Sequence, residues 1–337
     1  MRVLIVGSAA PGALENSYAR AFRSLGRIDV HHFDVDRYRL IPYGYNLPLR
    51  AINRVFAGAN TFPIRRALIQ ECKQHTYDVV LIFKGMEFPR VVLEKCRENS
   101  SGALWVNLNP DDPLNVGSRG STNRNVVASL SLFDLYLTWS KRLLPKLREA
   151  GCRRVEYLPF AYDPEMHFSV TPKTAKPDSV SFVGAWDIDR ERTLAALTDF
   201  NLEVYGEPWR RVSAGSALHS KVTSRNLYGT ALAEVMAGSA VSLNLLRPQN
   251  TGSHNMRTFE IPAMGGLMLT TRSEEQHAWF PEDEACLMYE TLDELREKIR
   301  FVLGEPEVAR EIRRKGMERV KSQTYRARAE TMLTMIG

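Results

Sequence analysis

Short apolar runs alternate with helix-compatible segments through the first half of the chain. The runs are VLIVG (3 to 7), IDVHHF (28 to 33), DVVLIF (78 to 83), ALWVNL (103 to 108) and DLYLTW (134 to 139), with helix-compatible segments around 12 to 25, 89 to 98, 122 to 131 and 141 to 150. Parallel strands need crossover connections, so this spacing predicts a parallel sheet wound on both faces. After a polar stretch, SVTPKTAKPDS (169 to 179), a second series begins: SVSFVG, LEVYG, AVSLNLL, GLMLT and ACLMYE, separated again by helical patterns and ending in LDELREKIRFVL and EVAREIRRKGMERV. The expected fold class is α/β, two Rossmann-like doubly wound domains in tandem facing across a cleft, spanning 1–162 and 163–322, with one helical segment, TYRARAETMLTMI, left over.

Residues 37 to 73 break the pattern. They hold seven bases against one acid, with Tyr, Phe, Leu and Ile interleaved, and no strand is predicted there. Basic residues beside apolar ones can form an interfacial membrane or acceptor-docking surface; the same composition also suits an insertion whose arginines are solvated and whose aromatics pack inward.

A length of 337 residues suits two domains, and 44% hydrophobic with 25% charged residues is globular composition. No stretch approaches the roughly 20 apolar residues that span a bilayer. The apolar core of the N-terminal segment is too short for a signal peptide. Cys72, Cys96, Cys152 and Cys286 are isolated, which indicates neither a disulfide framework nor a structural zinc site and fits a reducing cytoplasm. Cytoplasmic localisation is therefore expected, with the basic segment as a candidate contact for the inner membrane face. The net charge of +6 is uneven: 23 Lys+Arg stand against 14 Asp+Glu through Phe160, and 22 against 25 after it. The first half carries a basic field that favours an anionic partner or is simply solvated. The cations follow no nucleic-acid readout motif, and no nucleic-acid partner is expected.

Ligands of doubly wound sheets bind at the carboxyl ends of the strands, so each strand-end loop is a candidate. Gly7 and Ser8 open a Gly-rich turn that offers backbone N–H groups to an anion, although it is not GxGxxG. Asp111 and Asp112 stand in a proline-framed loop; one can act as a general base for an acceptor hydroxyl, or both can serve as turn and cap formers. Gly184 leads into a helix start carrying Arg190 and Arg192, one of which can clamp a diphosphate together with the helix dipole while the other pairs on the surface. The most informative segment is Asn255 to Gly266, NMRTFEIPAMGG. On a helix starting near Asn255, Arg257 and Glu260 share a face. Arg suits a pyrophosphate and Glu suits paired ribose hydroxyls. A plain reading is an Arg–Glu helical pair with a Gly265-Gly266 C-cap.

The string N-x-R-x-F-E-x-P-A-x-G-G followed by an apolar strand resembles the spore maturation protein CgeB-like glycosyltransferases. Phe182-Val183-Gly184 with Arg190, Val204-Tyr205-Gly206 with Trp209, and Asp111-Asp112-Pro113 resemble that family's FVG…R, VYG…W and DDP elements in order, and LDELREKI, Gly316 to Val320 and Thr324-Tyr325 follow its plan. The resemblance implies a GT-B glycosyltransferase fold. It further implies a nucleotide-diphosphate sugar donor bound mainly by the second domain, an acceptor bound by the first, transfer without metal or cofactor, and a C-terminal helix, 323–337, packed back on the first domain. Donor-site residues so implied are Gly7, Ser8, Gly184, Arg190, Tyr205, Gly206, Asn255, Arg257, Glu260, Gly265 and Gly266. The related glycosyltransferase family 4 carries two glutamates eight positions apart; Glu260 matches the second, and the first falls on Gly252, so that half of the pattern is absent. The expected activity is sugar transfer to a glycan, lipid-linked or protein hydroxyl in bacterial glycan, envelope or spore-coat synthesis. The alternatives are a nucleotide-sugar epimerase of the same fold and a non-enzymatic two-lobed binding protein.

Overall fold

In a computed structural model of the chain, residues 1–41, 57–115 and 121–337 are described; the middle of the basic segment, 42–56, lies outside them. The chain divides into two units, Met1–Pro159 with Tyr325–Gly337, and Phe160–Thr324. The divisions fall at 159/160 and 324/325, where the sequence suggested 162 and 322.

The first unit is built on six parallel strands, β1 (Arg2–Gly7), β2 (Asp29–Asp34), β3 (Val79–Phe83), β4 (Leu104–Asn109), β5 (Leu135–Thr138) and β6 (Val155–Tyr157), in the order β2-β1-β3-β4-β5-β6. Leu4, Ile5, Val6, Val80, Leu81 and Ile82 are fully buried, because a parallel sheet covered by helices on both faces buries both sides of its central strands. The crossover helices are α1 (Leu14–Ser24), α2 (Ala57–Gln74), α3 (Arg90–Asn99), α4 (Arg124–Ser129) and α5 (Leu143–Glu149). Helix α2 was not read from the sequence. Its apolar face is a narrow row, Ile64, Leu68 and Cys72 at every fourth position, and the bases between them hide the period.

The second unit repeats the plan with β7 (Lys176–Val183), β8 (Asn201–Tyr205), β9 (Val222–Thr223), β10 (Ser239–Asn244), β11 (Met268–Thr271) and β12 (Leu287–Tyr289), all parallel, in the order β12-β11-β10-β7-β8-β9. Around it lie α6 (Ile188–Ala195), α7 (Gly229–Gly238), α8 (Arg257–Ala263), α9 (Glu274–Trp279), α10 (Leu292–Gly304) and α11 (Pro306–Val320). Its core joins Val180, Phe182, Val241, Leu243, Leu269 and Leu287 of the sheet to Leu295 and Ile299 of α10. The last helix, α12 (Tyr325–Ile336), belongs to the first unit. Tyr325 packs its ring 5.2 Å from that of Tyr18 on α1, and Arg326 and Arg154 tie its two ends through Ser24 O at 3.0 Å and Met335 O at 2.8 Å.

Both strand orders reverse once, between β1 and β3 in the first sheet and between β7 and β10 in the second. The loops diverge at such a point, leaving a crevice beyond the carboxyl ends of the two strands. Among the described residues, no helix is long and apolar enough to cross a membrane.

Because Tyr325 is 3% exposed against Tyr18, Tyr325→Ala should remove about 3 kcal/mol from the unfolding free energy of the first unit, as large-to-small aromatic changes in cores do. Urea denaturation would measure it, and a change below about 1 kcal/mol would mean that α12 adds little to the unit's core.

Candidate functional site

The switch point of the second sheet is occupied by arginines. Arg190, in the first turn of α6, is mostly buried, its side chain 12% exposed, and lies 5.3 Å over the Phe182 ring. Its Nη1 donates to Ala185 O at 2.9 Å, beyond the end of β7, and its Nη2 and Nε donate to Leu245 O at 2.8 and 3.3 Å, just beyond the end of β10. One guanidinium thus laces together the two strand ends between which the order reverses. Burial, and then the neighbouring charges of Arg247 and Arg257, lower its pKa to about 10, which leaves it charged at neutral pH. Arg257, opening α8, donates from Nε to Val183 O at 3.1 Å. Arg247 follows β10 and shares Asp187 Oδ2 with Arg190, at 3.3 and 3.4 Å. Asp187 also caps α6, accepting from Arg190 N at 3.0 Å.

Glu260 is buried one turn along α8, ion-paired with Arg257 and 3.5 Å from His167 Nε2. His167 is oriented by the Asp163 N–H, which donates to its Nδ1 at 3.1 Å. Burial raises the Glu260 pKa, but Arg257 and His167 more than reverse this, so its carboxyl titrates below the ordinary value of 4.5. The site therefore assembles Arg190, Arg247, Arg257 and His167 around two carboxylates, Asp187 and Glu260. Planar guanidinium forks beside a carboxylate suit a diphosphate next to vicinal hydroxyls.

Other nominated residues have different duties. Asn255 donates to Asn244 Oδ1 at 2.8 Å and accepts from Thr258 N at 3.1 Å; it caps α8 and enters a buried amide and hydroxyl network with Thr258, Thr270 and Gln276. Gly265 N and Gly266 N donate to Pro262 O at 3.1 Å and Ile261 O at 2.9 Å, the paired bonds that end a helix in a Schellman motif, and Gly265 takes the left-handed φ of +81° that the motif requires. Their amides close the end of α8, as the plain reading of the Gly-Gly pair as a C-cap expects. Gly206 approaches Gly184 so closely that a Cβ would lie 2.1 Å from Gly184 O, and Trp209 Nε1 donates to the same oxygen at 2.8 Å. This pair of glycines shapes the β7 and β8 ends. The Tyr205 hydroxyl donates to Glu203 at 3.1 Å, two residues back along its own strand, and so serves β8. Arg192 pairs with Asp189 on the surface at 3.4 Å. Gly252 has φ of +75°, a conformation that a glutamate would adopt only under strain.

At the switch point of the first sheet, the nominated anion turn is already filled. Ala9 N donates to Asp34 Oδ1 at 3.2 Å, Ser8 Oγ to Asp36 Oδ2 at 2.7 Å, and Glu15 lies beneath Gly7, where a Cβ would meet its Cγ at 2.4 Å. Burial raises the Glu15 pKa. Three carboxyl groups, Asp34, Asp36 and Glu15, thus surround the turn that Gly7 and Ser8 open. Asp111 and Asp112 separate in role. Asp112 Oδ1 accepts from Leu114 N at 2.9 Å as a turn former, whereas Asp111 Oδ2 lies 2.6 Å from Lys84 Nζ. Lys84 ends β3 with φ of +55°, a backbone strain of the kind that gathers at functional sites. Among the described residues, no group of three or more His, Cys, Asp or Glu is placed to hold a metal ion.

Arg247, Asp187 and His167 were not nominated from the sequence. Arg247 carries a signal in the sequence, since it directly follows the apolar run of β10, where strand-end loops carry ligands.

Residues 190–334 match the family described as glycosyl transferase-like. No curated protein matches the chain by sequence. Among solved structures, sucrose-phosphate synthase from Thermosynechococcus elongatus aligns at 15% identity and TM-score 0.70 over 100% of this chain and 98% of that one. HepE from Anabaena, in complex with UDP and glucose, aligns at 10% identity and TM-score 0.72 over 100% and 99%. TarM aligns at 9% identity and TM-score 0.61 over 81% and 58%. The architecture is the GT-B glycosyltransferase fold.

The depressed Glu260 pKa has a direct consequence. The carboxylate contributes stability that is fully present above pH 4.5 and is lost as pH falls through the lower folded value. In urea unfolding across pH, Glu260→Gln should be less stable than wild type by a constant amount above about pH 5, and the gap should close in acid. A gap that widens on acidification would mean that burial, not Arg257, dominates the carboxyl.

Proposed function

We propose that this chain is a glycosyltransferase that uses a nucleoside-diphosphate sugar, with the donor held by the second unit at the β7/β10 switch point. The observation that carries the proposal is the convergence of Arg190, Arg247 and Arg257 there, three cations against the two carboxylates of Asp187 and Glu260. In this reading the arginines hold the diphosphate and Glu260 accepts from the ribose hydroxyls. As the bond to the sugar breaks, charge grows on the leaving phosphate, and fixed guanidinium groups stabilise it more than they stabilise the donor. That is the role a divalent metal takes elsewhere, so the transfer proposed here is metal-independent. UDP is the first nucleotide to test, because HepE was solved with UDP and glucose.

The acceptor is assigned to the first unit, where Asp111 is the nominated base and Lys84 holds its carboxylate. Asp112 drops out of this role because its side chain forms the turn. Deprotonation of the acceptor hydroxyl by Asp111 goes with inversion at the anomeric carbon, and the absence of a glutamate at Gly252 fits a departure from the retaining pattern. The resemblance of the Asn255 to Gly266 string supports an acceptor in bacterial glycan, envelope or spore-coat synthesis.

Arg247 gives the cleanest test, since its side chain is 42% exposed and its removal disturbs little packing. Arg247→Ala should weaken UDP binding by about tenfold, the value of one charge-assisted contact, while the unliganded melting temperature holds. Asp111→Asn should leave UDP binding unchanged and lower transfer from UDP-sugar by about a hundredfold or more. UDP affinity indifferent to Arg247→Ala would remove the donor site from this position.

A further inference from the structure

The described ends of the basic segment that the donor-site reading leaves unused, 37–41 and 57–73, are placed side by side. The 3-10 turn Val35–Tyr38 after β2 leads to Ile41, whose N–H and C=O are both held by the buried Asn60 of α2, at 2.6 and 3.2 Å. That clasp lays residues 39–41 against the N-terminal half of α2. Two large apolar side chains stand out into solvent on the two clasped segments, Leu40 at 64% and Phe62 at 61% exposure. On α2, Phe62, Arg66 and Lys73 are exposed and recur at helical spacing, opposite the buried row of Ile64, Leu68 and Cys72.

The charge on this face is uncompensated. Arg37, Arg66 and Lys73 have no ion pair among the described residues. The carboxylates of the same segments are engaged, Asp36 by Ser8 and Arg39, and Glu71 by Tyr77. Arg39, by contrast, is turned inward, its side chain 3% exposed between Asp36 and Glu87. Single exposed apolar residues are ordinary on a protein surface. Two of them flanked by three unpaired cations, on the half of the chain with 23 bases against 14 acids, form a different arrangement.

We propose that this face, Arg37, Leu40, Phe62, Arg66 and Lys73, docks the first unit on a lipid bilayer bearing anionic headgroups. The cations hold the protein near the surface, and Leu40 and Phe62 enter the boundary between headgroups and acyl chains. The charge favours this occupant: an apolar partner would take the two side chains and leave the cations desolvated, whereas an anionic bilayer satisfies both at one surface. The inference stands apart from the donor-site proposal and requires no nucleotide.

Sedimentation with vesicles of equal parts phosphatidylglycerol and phosphatidylcholine, against phosphatidylcholine alone, tests it. The wild-type chain should partition to the anionic vesicles and release as salt is raised. Leu40→Ser with Phe62→Ser, and separately Arg66→Glu, should each lower the partition coefficient roughly tenfold. All three positions are exposed, so the variants should keep the wild-type melting temperature, which separates loss of docking from loss of fold. Equal binding by wild type and variants overturns the proposal, as does binding to neutral vesicles alone. Retention on polyuridylic acid with no vesicle binding would also overturn it and assign the face to nucleic acid.

Discussion

The second unit depends on one mostly buried guanidinium. At a switch point the loops of two neighbouring strands turn to opposite faces of the sheet, so the carbonyls at the strand ends lose their neighbours and must find other donors. Arg190 supplies them, reaching Ala185 O after β7 and Leu245 O after β10 with a rigid fork whose nitrogens have the right spacing. The same interaction places a positive charge where no water-filled space is needed to hold it. Arg247 and Arg257 are then gathered around it by Asp187, Glu260 and Val183 O, and both lower the pKa of Arg190, so each opposes the charge of the others. The backbone carbonyls and two carboxylates hold the cluster together against that repulsion. A site that already holds its dipoles and charges in place has little reorganisation left to do when charge develops on a leaving group.

The two units show why a doubly wound sheet does not by itself make a nucleotide site. Both reverse strand order once, and both present strand-end loops there. In the first unit the amide of Ala9 and the hydroxyl of Ser8 are closed by Asp34 and Asp36, with Glu15 beneath Gly7. In the second unit the corresponding region carries arginines. One architecture thus has an acidic crevice in one copy and a basic one in the other, and side chains, not topology, decide which can hold a diphosphate.

The strands were legible because a parallel sheet buried on both faces needs unbroken apolar runs, and VLIVG or DVVLIF cannot be placed elsewhere. Strands β6 and β9 escaped because three- and two-residue edges carry no such run. Helix α2 escaped because its buried row is one residue wide. At the candidate site, the spacing of Arg257 and Glu260 gave their pairing directly. The choice between Arg190 and Arg192 was not legible, since it depends on the phase of α6 against the sheet: Arg190 turns inward to Leu245 O and Arg192 outward to Asp189. The part played by the glycines was not legible, because a helix cap and a phosphate loop ask for the same residue and only the direction of the N–H groups distinguishes them.

Gly252 sets the course of the loop that leads into α8. The loop after β10 must turn sharply to bring Ser253 and His254 inward, where Ser253 Oγ donates to Glu275 Oε2 at 2.7 Å and His254 Nδ1 lies 2.9 Å from the same oxygen. His254 Nε2 accepts the Phe160 N–H at 3.1 Å, which makes the ring neutral with its proton on Nδ1, facing the carboxylate. A left-handed glycine permits this turn, and a glutamate there would oppose it. The loop is thereby committed to anchoring the start of α8, with Asn255 capping the helix and Arg257 and Glu260 carried on its first turn. The position that holds the first glutamate in the related pattern is used here to fix the start of α8, so the cluster at the switch point holds its arginines with Asp187 and a single glutamate, Glu260.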